Sequence, residues 1–225
     1  MLLVLKDVLT EPEREERRSF RLSRSFDSSV PRTPRALEVH KAFGIGIGKR
    51  EHVIYRDLLV DVEPGDVVYI TGESGGGKSL LLRDIEAELR KHEEFRPVLN
   101  FDSIRVDPGE RAIEGVGRSV TESIEILSGV GLGEAYLFLR RYSELSDGQK
   151  FRYRMAKALT RNPKTLIIDE FCSNLDRTTA KVLAYLTQRW CRRKGITLVV
   201  ATAHDDLVED LGPDVLVVKR FGSSA

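Results

Sequence analysis

Cysteine is nearly absent from this sequence. Its two thiols, Cys172 and Cys191, have no metal-ligand spacing and are too few for a disulfide framework. No apolar run approaches the roughly 18 residues that a membrane-spanning helix needs. The longest near the start, Met1 to Leu5, is too short for the core of a secretory leader and has no basic residues before it. A soluble, cytoplasmic chain is therefore expected. Neither sign of charge prevails, with 36 basic against 35 acidic residues, although charged residues make up 32% of the chain. Labile side chains are also rare: three Asn, two Gln and two Met. Many charges with few such residues is a composition met in hyperthermophile proteins, which bears on source rather than on function. With 41% hydrophobic residues over 225 positions, chain-wide disorder and collagen-like architecture are excluded. The length suits one large domain, or one and a half, with a substantial core.

The first 35 residues differ from the rest. Between Arg14 and Arg35 seven Arg face three acids, and the Ser-rich stretch ends in Val30-Pro31-Arg32-Thr33-Pro34-Arg35. That composition predicts an arm or linker over residues 1–35 with little core of its own, either solvated or touching nucleic acid. From residue 36 to 225 the pattern is regular. Strands are predicted at Leu37–Phe43, Val53–Val62, Val67–Thr71, Val98–Phe101, Thr165–Asp169, Ile196–Ala201 and Val215–Lys219. Helical periodicity covers Leu80–Lys91, Gly148–Thr160 and Thr178–Arg193, with shorter amphipathic pieces at Val120–Leu127 and Glu134–Arg140. Strands alternating with helices predict an α/β fold with a largely parallel sheet.

The strongest chemical signal is Gly72-Glu73-Ser74-Gly75-Gly76-Gly77-Lys78-Ser79, placed between a predicted strand and a helix that Leu80 opens. Glycines let successive N–H groups point inward around phosphates, and the helix N-terminus adds its positive dipole end. Lys78 is expected to reach the β- and γ-phosphates of a nucleotide, and the Ser79 hydroxyl to meet Mg²⁺. The second element is the buried strand Thr165–Ile168 running into Asp169 and Glu170. Two adjacent carboxylates there are costly unless a metal or a reaction uses them. Asp169 suits a Mg²⁺-holding role and Glu170 a base that polarises attacking water.

A third element, Leu145-Ser146-Asp147-Gly148-Gln149, precedes a basic helix and lies between the other two. Over residues 36–225 the chain resembles the ABC-type ATPases, whose signature is a Leu-Ser-Gly-Gly-Gln-like pentapeptide in this place; here Asp147 stands where the commoner form has Gly. The resemblance implies a nucleotide-binding core with a mostly parallel sheet, an N-terminal antiparallel β-subdomain and a short helical subdomain carrying the signature. It implies Mg·ATP as ligand and a head-to-tail homodimer. In it, each ATP touches Gly72–Ser79 of one subunit and Ser146, Asp147 and Gly148 of the other. Ser173-Asn174-Leu175-Asp176 matches the segment after the catalytic glutamate, and His204 matches the histidine that contacts the γ-phosphate. Val39-His40-Lys41-Ala42-Phe43-Gly44 resembles the adenine-stacking segment, with Phe43 the chosen aromatic and Tyr55 its competitor.

The chain departs from the family in one respect. No Gln occurs between Lys78 and Gln149, where the family has a metal-contacting one. Asp107, Glu110 and Glu114 are the acids available to replace it, Glu114 first. The interval of 67 residues from Lys78 to Leu145 is also short for a transport subunit. These features favour a non-transport ATPase with a nucleic-acid or protein partner, the alternative being the ATP-binding subunit of a membrane transporter. The chain is similar, too, to an archaeal-type group of ABC ATPases, some fused to an acetyltransferase-like domain. Between Arg140 and Lys164 eight basic residues face two acids, which reads either as a solvated, nucleotide-facing helix or as a nucleic-acid surface. Gly44–Gly48 is expected to form a hairpin turn, and Gly129–Gly133 to break the helices beside it.

Overall fold

The structure, a computed structural model, describes residues 3–6, 18–28, 33–44, 50–173 and 175–219. A six-stranded sheet holds β1 (Leu3–Lys6), β4 (Val67–Gly72), β5 (Val98–Asn100), β6 (Thr165–Ile168), β7 (Thr197–Ala201) and β8 (Val215–Lys219), in the order β1-β8-β4-β7-β6-β5. All neighbours are parallel except β1, which runs antiparallel along β8 at one edge. The central strands are short β-branched runs with both faces covered, which is why they read as continuous rather than alternating apolar segments.

Period-two alternation still divides their side chains between two cores. Val68 and Ile70 of β4 join Leu81, Leu82, Ile85 and Leu89 of α2 (Lys78–Leu89). Val67 and Tyr69 face the opposite layer. That layer is built by α5 (Asp147–Thr160) and α6 (Arg177–Lys194), which bury Tyr153, Ala156, Leu183 and Cys191. Between β5 and α5 lies a small helical region with α3 (Val120–Gly129) and α4 (Ala135–Phe138). Its Val116, Leu127, Leu137 and Leu145 are buried in the same layer, so it packs on the core rather than extending from it. Gly129 ends α3 and Gly131 is left-handed at φ 81, as the glycine spacing leads one to expect. A short α7 (Val208–Leu211) precedes β8.

Two expectations for the N-terminal part fail. Residues 1–35 are not free of core: besides β1, they supply β2 (Arg18–Ser28), which pairs antiparallel with β3 (Arg50–Val62) and buries Phe20 and Leu22. Those two apolar positions alternate among Arg and Ser, so average composition hides a strand with one sealed face. The segment Leu37–Phe43 is not a strand but most of α1 (Pro34–Phe43). Thr33 caps it by accepting a hydrogen bond from the Ala36 N–H, Pro34 begins it, and Gly44 ends it in the left-handed region at φ 65. Gly44 is thus a helix stop; residues 45–49 of the expected hairpin turn lie outside the described residues. No residue of α1 is buried.

The β2–β3 ladder is irregular around Arg24. Arg24 faces Tyr55, but Ser25 faces Val53, which leaves Ile54 as an extra residue in β3. That bulge lies over the phosphate-loop motif.

Candidate nucleotide-binding site

Parallel strands deliver their C-terminal ends to one edge of the sheet, where open α/β folds bind ligands. There β4 turns into Gly72–Gly77, β6 into Asp169-Glu170, and β7 into Thr202-Ala203-His204. A cavity of about 490 Å³ joins them, lined by Lys78, Ser79, Asp169, Glu170 and Thr202 among others. Two glycines in the loop are dictated sterically. Gly72 has φ 133, and a Cβ there would overlap the Lys219 carbonyl; Gly77, with φ 84, would press against Ile54 Cγ2 at 2.7 Å. Lys78 Nζ donates to the carbonyls of Gly72 and Glu73, both at 2.8 Å. Burial lowers the pKa of this lysine and Asp169 opposes the shift.

The turn after β6 is strained. Glu170 at φ 48 and Cys172 at φ 59 are both left-handed without being glycine, at a cost of roughly 1–3 kcal/mol each. The turn is pinned by three hydrogen bonds: Glu170 N–H to Asp169 Oδ1 at 2.9 Å, Phe171 N–H to Ala201 O at 2.9 Å and Ser173 N–H to Glu170 O at 3.0 Å. The conformation sets Glu170 on the rim of the cavity beside Asp169. His204 is held through its backbone. Its carbonyl accepts from Thr71 Oγ1 at 2.7 Å and from the Tyr69 hydroxyl, and its N–H donates to Thr202 Oγ1 at 3.2 Å. Asp206 lies 3.9 Å from His204 Nδ1 and 2.6 Å from Arg177 Nε. Tyr69, Thr71, Thr202 and Asp206 carry no motif. Thr202 and Asp206 follow the buried strand β7, a position that could have found them, whereas Tyr69 and Thr71 lie within β4.

Ser146, Gly148 and Asp176 lie together but apart from the phosphate loop of their own chain. With Asp147 and Arg152 they line a separate cavity of about 360 Å³. Ser146 and Gln149 cap α5 reciprocally, Ser146 N–H to Gln149 Oε1 at 3.0 Å and Gln149 N–H to Ser146 Oγ at 3.4 Å. Asp176 caps α6 by accepting from the Thr179 N–H at 3.0 Å, and its hydrogen bonds to Thr179 hold its carboxyl below the ordinary range.

Of the acids proposed to stand in for the absent Gln, Glu110 is committed elsewhere: it accepts from Lys157 Nζ at 2.6 and 2.8 Å and from the Tyr153 hydroxyl. Asp107 and Glu114 are exposed. Asp102 instead enters a cavity of about 390 Å³ that it shares with Asp169 and Glu170. It follows β5, one strand over from β6. The sequence points instead to the acids between Arg105 and Arg118, which lie beyond Asp102 in the same connection.

The two aromatic candidates for the base differ in packing. Phe43 ends a helix with no buried residue and is 77% exposed. Tyr55 is 5% exposed, its ring covered by Lys219 Nζ at 5.0 Å and its hydroxyl bonded to Asp84, which also receives Arg24. Half of the basic run is spent internally as well. Arg152 donates to Gly131 O at 3.0 Å, Arg154 to Phe101 O at 2.9 Å, Lys157 to Glu110, and Lys164 to Glu93 O at 3.4 Å. Burial pushes the Cys172 and Cys191 thiols up to about 12, leaving both inert.

A phosphate loop, a paired-carboxylate strand and a capped signature helix on one parallel sheet define a P-loop ATPase, and the chain belongs to the AAA domain family, matching it over residues 62–209. Within that class it is an ABC-type ATPase nucleotide-binding domain. It is 30% identical over 207 residues to the methionine import ATP-binding protein MetN of Corynebacterium jeikeium, covering 76% of this chain and 55% of that protein. It is 27% identical over 198 residues to the cell division ATP-binding protein FtsE of Streptococcus pneumoniae, covering 73% and 84%. The chain thus spans little more than half the length of the methionine import proteins it matches. Among solved structures, CbiO1 of Clostridium perfringens, part of the ABC transporter complex CbiONQ, shares the fold with a TM-score of 0.58 at 22% identity, over 75% of this chain and 80% of that one.

Proposed function

We propose that this domain binds and hydrolyses Mg·ATP as a head-to-tail pair, so that each nucleotide lies between Gly72–Ser79 of one copy and Ser146–Gly148 of another. One observation carries this reading: Lys78 and Glu170 line one cavity while Ser146, Gly148 and Asp176 line another, so a single chain presents two half-sites. Lys78 binds phosphate, Glu170 orients and deprotonates the attacking water, and His204 stands at the same strand ends to meet the γ-phosphate. The Ser79 hydroxyl and the Asp169 carboxylate are hard oxygen donors of the kind Mg²⁺ takes beside phosphate oxygens, and the ion would neutralise charge on the transferred group.

The partner is a protein rather than a nucleic acid. The cations between Arg152 and Lys164 are mostly bonded within the fold, whereas Val120, Tyr136 and Leu139 stand exposed on the helical region. The import and cell-division names of the relatives support a membrane-bound partner, and the short helical region then makes a small docking surface. No role follows for an acetyltransferase-like fusion.

Phosphate release from ATP with Mg²⁺, followed against protein concentration, tests both parts. A pair of half-sites gives a rate that climbs faster than concentration before saturating. A strictly proportional rate in dilute protein would sink the shared site. Stimulation by DNA or RNA that fades as salt rises would restore the nucleic-acid reading.

A further inference from the structure

Lys219, the last residue of β8, is only 5% exposed, and among the described residues no carboxylate lies within ion-pair distance of it. It runs behind the phosphate loop. Its carbonyl accepts from the Glu73 N–H at 3.3 Å and fills the space where Gly72 would carry a side chain. Farther out, its Cγ is 3.7 Å from where a Cβ would stand on Gly76, and its Nζ 3.2 Å from one on Gly77. The ammonium donates to the carbonyl of Ile54 at 2.8 Å and lies 5.0 Å from the centre of the Tyr55 ring. The β3 bulge gives it that carbonyl and sets Ile54 Cγ2 against Gly77. A buried ammonium with one carbonyl and one ring face is poorly compensated, and an anion arriving at the N–H groups of the loop would supply the missing charge.

We propose that Lys219 is a positioning residue of the nucleotide site: it holds the loop Gly72–Gly77 from behind and contributes its positive charge to polyphosphate binding. The inference rests on the proposed reading of that loop as the nucleotide's phosphate site. Burial pulls the lysine down to about 8, so the contribution fades as pH rises through that value. The other ionisable groups about it are Tyr55 on β3, whose hydroxyl is bonded to Asp84 of α2, Arg24 of β2 on the same carboxylate, and Glu73 and Lys78 of the loop and α2. Burial first, then Asp84, raises Tyr55 above its ordinary range, so its phenol does not ionise in the same window.

The test is equilibrium binding of ADP to the full chain between pH 7 and pH 9.5, for the unaltered protein, Lys219→Met, Lys219→Arg and Lys78→Ala. The expected loss for Lys219→Met at pH 7 is about tenfold or more, with Lys219→Arg recovering most of it. The unaltered protein should lose affinity in a step near pH 8. Lys219→Arg should lack that step, because a guanidinium stays charged throughout. Lys219→Met with unchanged affinity, or a step that persists in Lys219→Arg and so belongs to Lys78, overturns the proposal. If Lys219→Met does not fold, the Arg variant alone decides. If Lys78→Ala binds ADP normally, the phosphate-site reading falls, and this inference with it.

Discussion

Glu110 and Lys157 form a doubly bonded pair, 2.6 and 2.8 Å from Nζ to the two carboxylate oxygens, that ties the loop after β5 to the middle of the signature helix α5. The Tyr153 hydroxyl donates to the same carboxylate, and burial first, then this bond, lifts the phenol above its ordinary range. The acid is therefore an anchor of the helical region. Glu110→Ala leaves a part-buried ammonium and a buried phenol without their acceptor. The expected cost is about 2–3 kcal/mol, which for a chain of this size lowers the melting temperature by roughly 5–10 °C. Nucleotide affinity of the folded fraction should stay within about twofold of the unaltered protein. Thermal melts beside ADP titrations check this; a stable variant that has lost metal-dependent turnover would return Glu110 to the active site.

Lys78→Ala should weaken nucleotide binding itself. Its ammonium is held over the loop by two carbonyls at 2.8 Å and can exchange them for phosphate oxygens without moving far. A charge-assisted bond of this kind is worth roughly tenfold to a hundredfold in affinity. Titration with ADP, with and without Mg²⁺, reads the loss. An unchanged dissociation constant would mean that phosphate does not lie in the cavity by Ser79 and Asp169.

Glu170→Gln separates binding from turnover. The side chain sits on the cavity rim by virtue of a left-handed turn that Gln can adopt as readily as Glu, so geometry should survive. Loss of the base should slow phosphate release by about 10²–10⁴-fold while ATP affinity holds or tightens, since a like charge near the γ-phosphate is gone. With hydrolysis stopped, the paired state should accumulate, and light scattering with Mg·ATP should double the apparent mass. A variant that still turns over at the normal rate would remove Glu170 from the base role.

Much of this site was legible because its residues are tied to sequence neighbours. Gly72–Ser79 must follow a strand and open a helix, and Asp169-Glu170 must end one. Both conditions can be read from an apolar run beside a polar motif, and both hold. What could not be read depends on contacts between distant segments. Phe20 and Leu22 form a sealed strand face only because β3 lies 30 residues or more away in sequence to pair with them. Leu37–Phe43 has enough β-branched and aromatic character to suggest a strand, but Thr33, Pro34 and Gly44 start and stop a helix there. Asp102 carries no motif, and only the pairing of β5 with β6 brings it beside Asp169. Lys219 reads in the sequence only as the end of a strand, and the approach of the loop after β4 makes it a neighbour of Gly72–Gly77.

Folding stability should respond to pH at both ends of the range, through two residues on either side of Tyr55. Burial works to raise the Asp84 carboxyl, but the hydrogen bonds from Arg24 and Tyr55 outweigh it and hold the group below its ordinary range. A carboxyl depressed in the folded state stabilises it above the unfolded pKa of about 3.9, and that contribution is lost as pH falls further. Lys219 acts with the opposite charge and in the opposite window. Burial brings it to about 8 in the folded chain. An unfolded lysine titrates near 10.4, so between these values the unfolded state binds more protons and stability rises with pH. Denaturation midpoints should therefore fall below about pH 4, and an upward trend should show between about pH 8 and 10, the very interval in which ADP affinity is expected to fall. Asp84→Asn should make only the acid limb shallower and Lys219→Met only the alkaline one. Midpoints of Lys219→Met that still climb with pH as in the unaltered protein would mean the lysine is not buried as described.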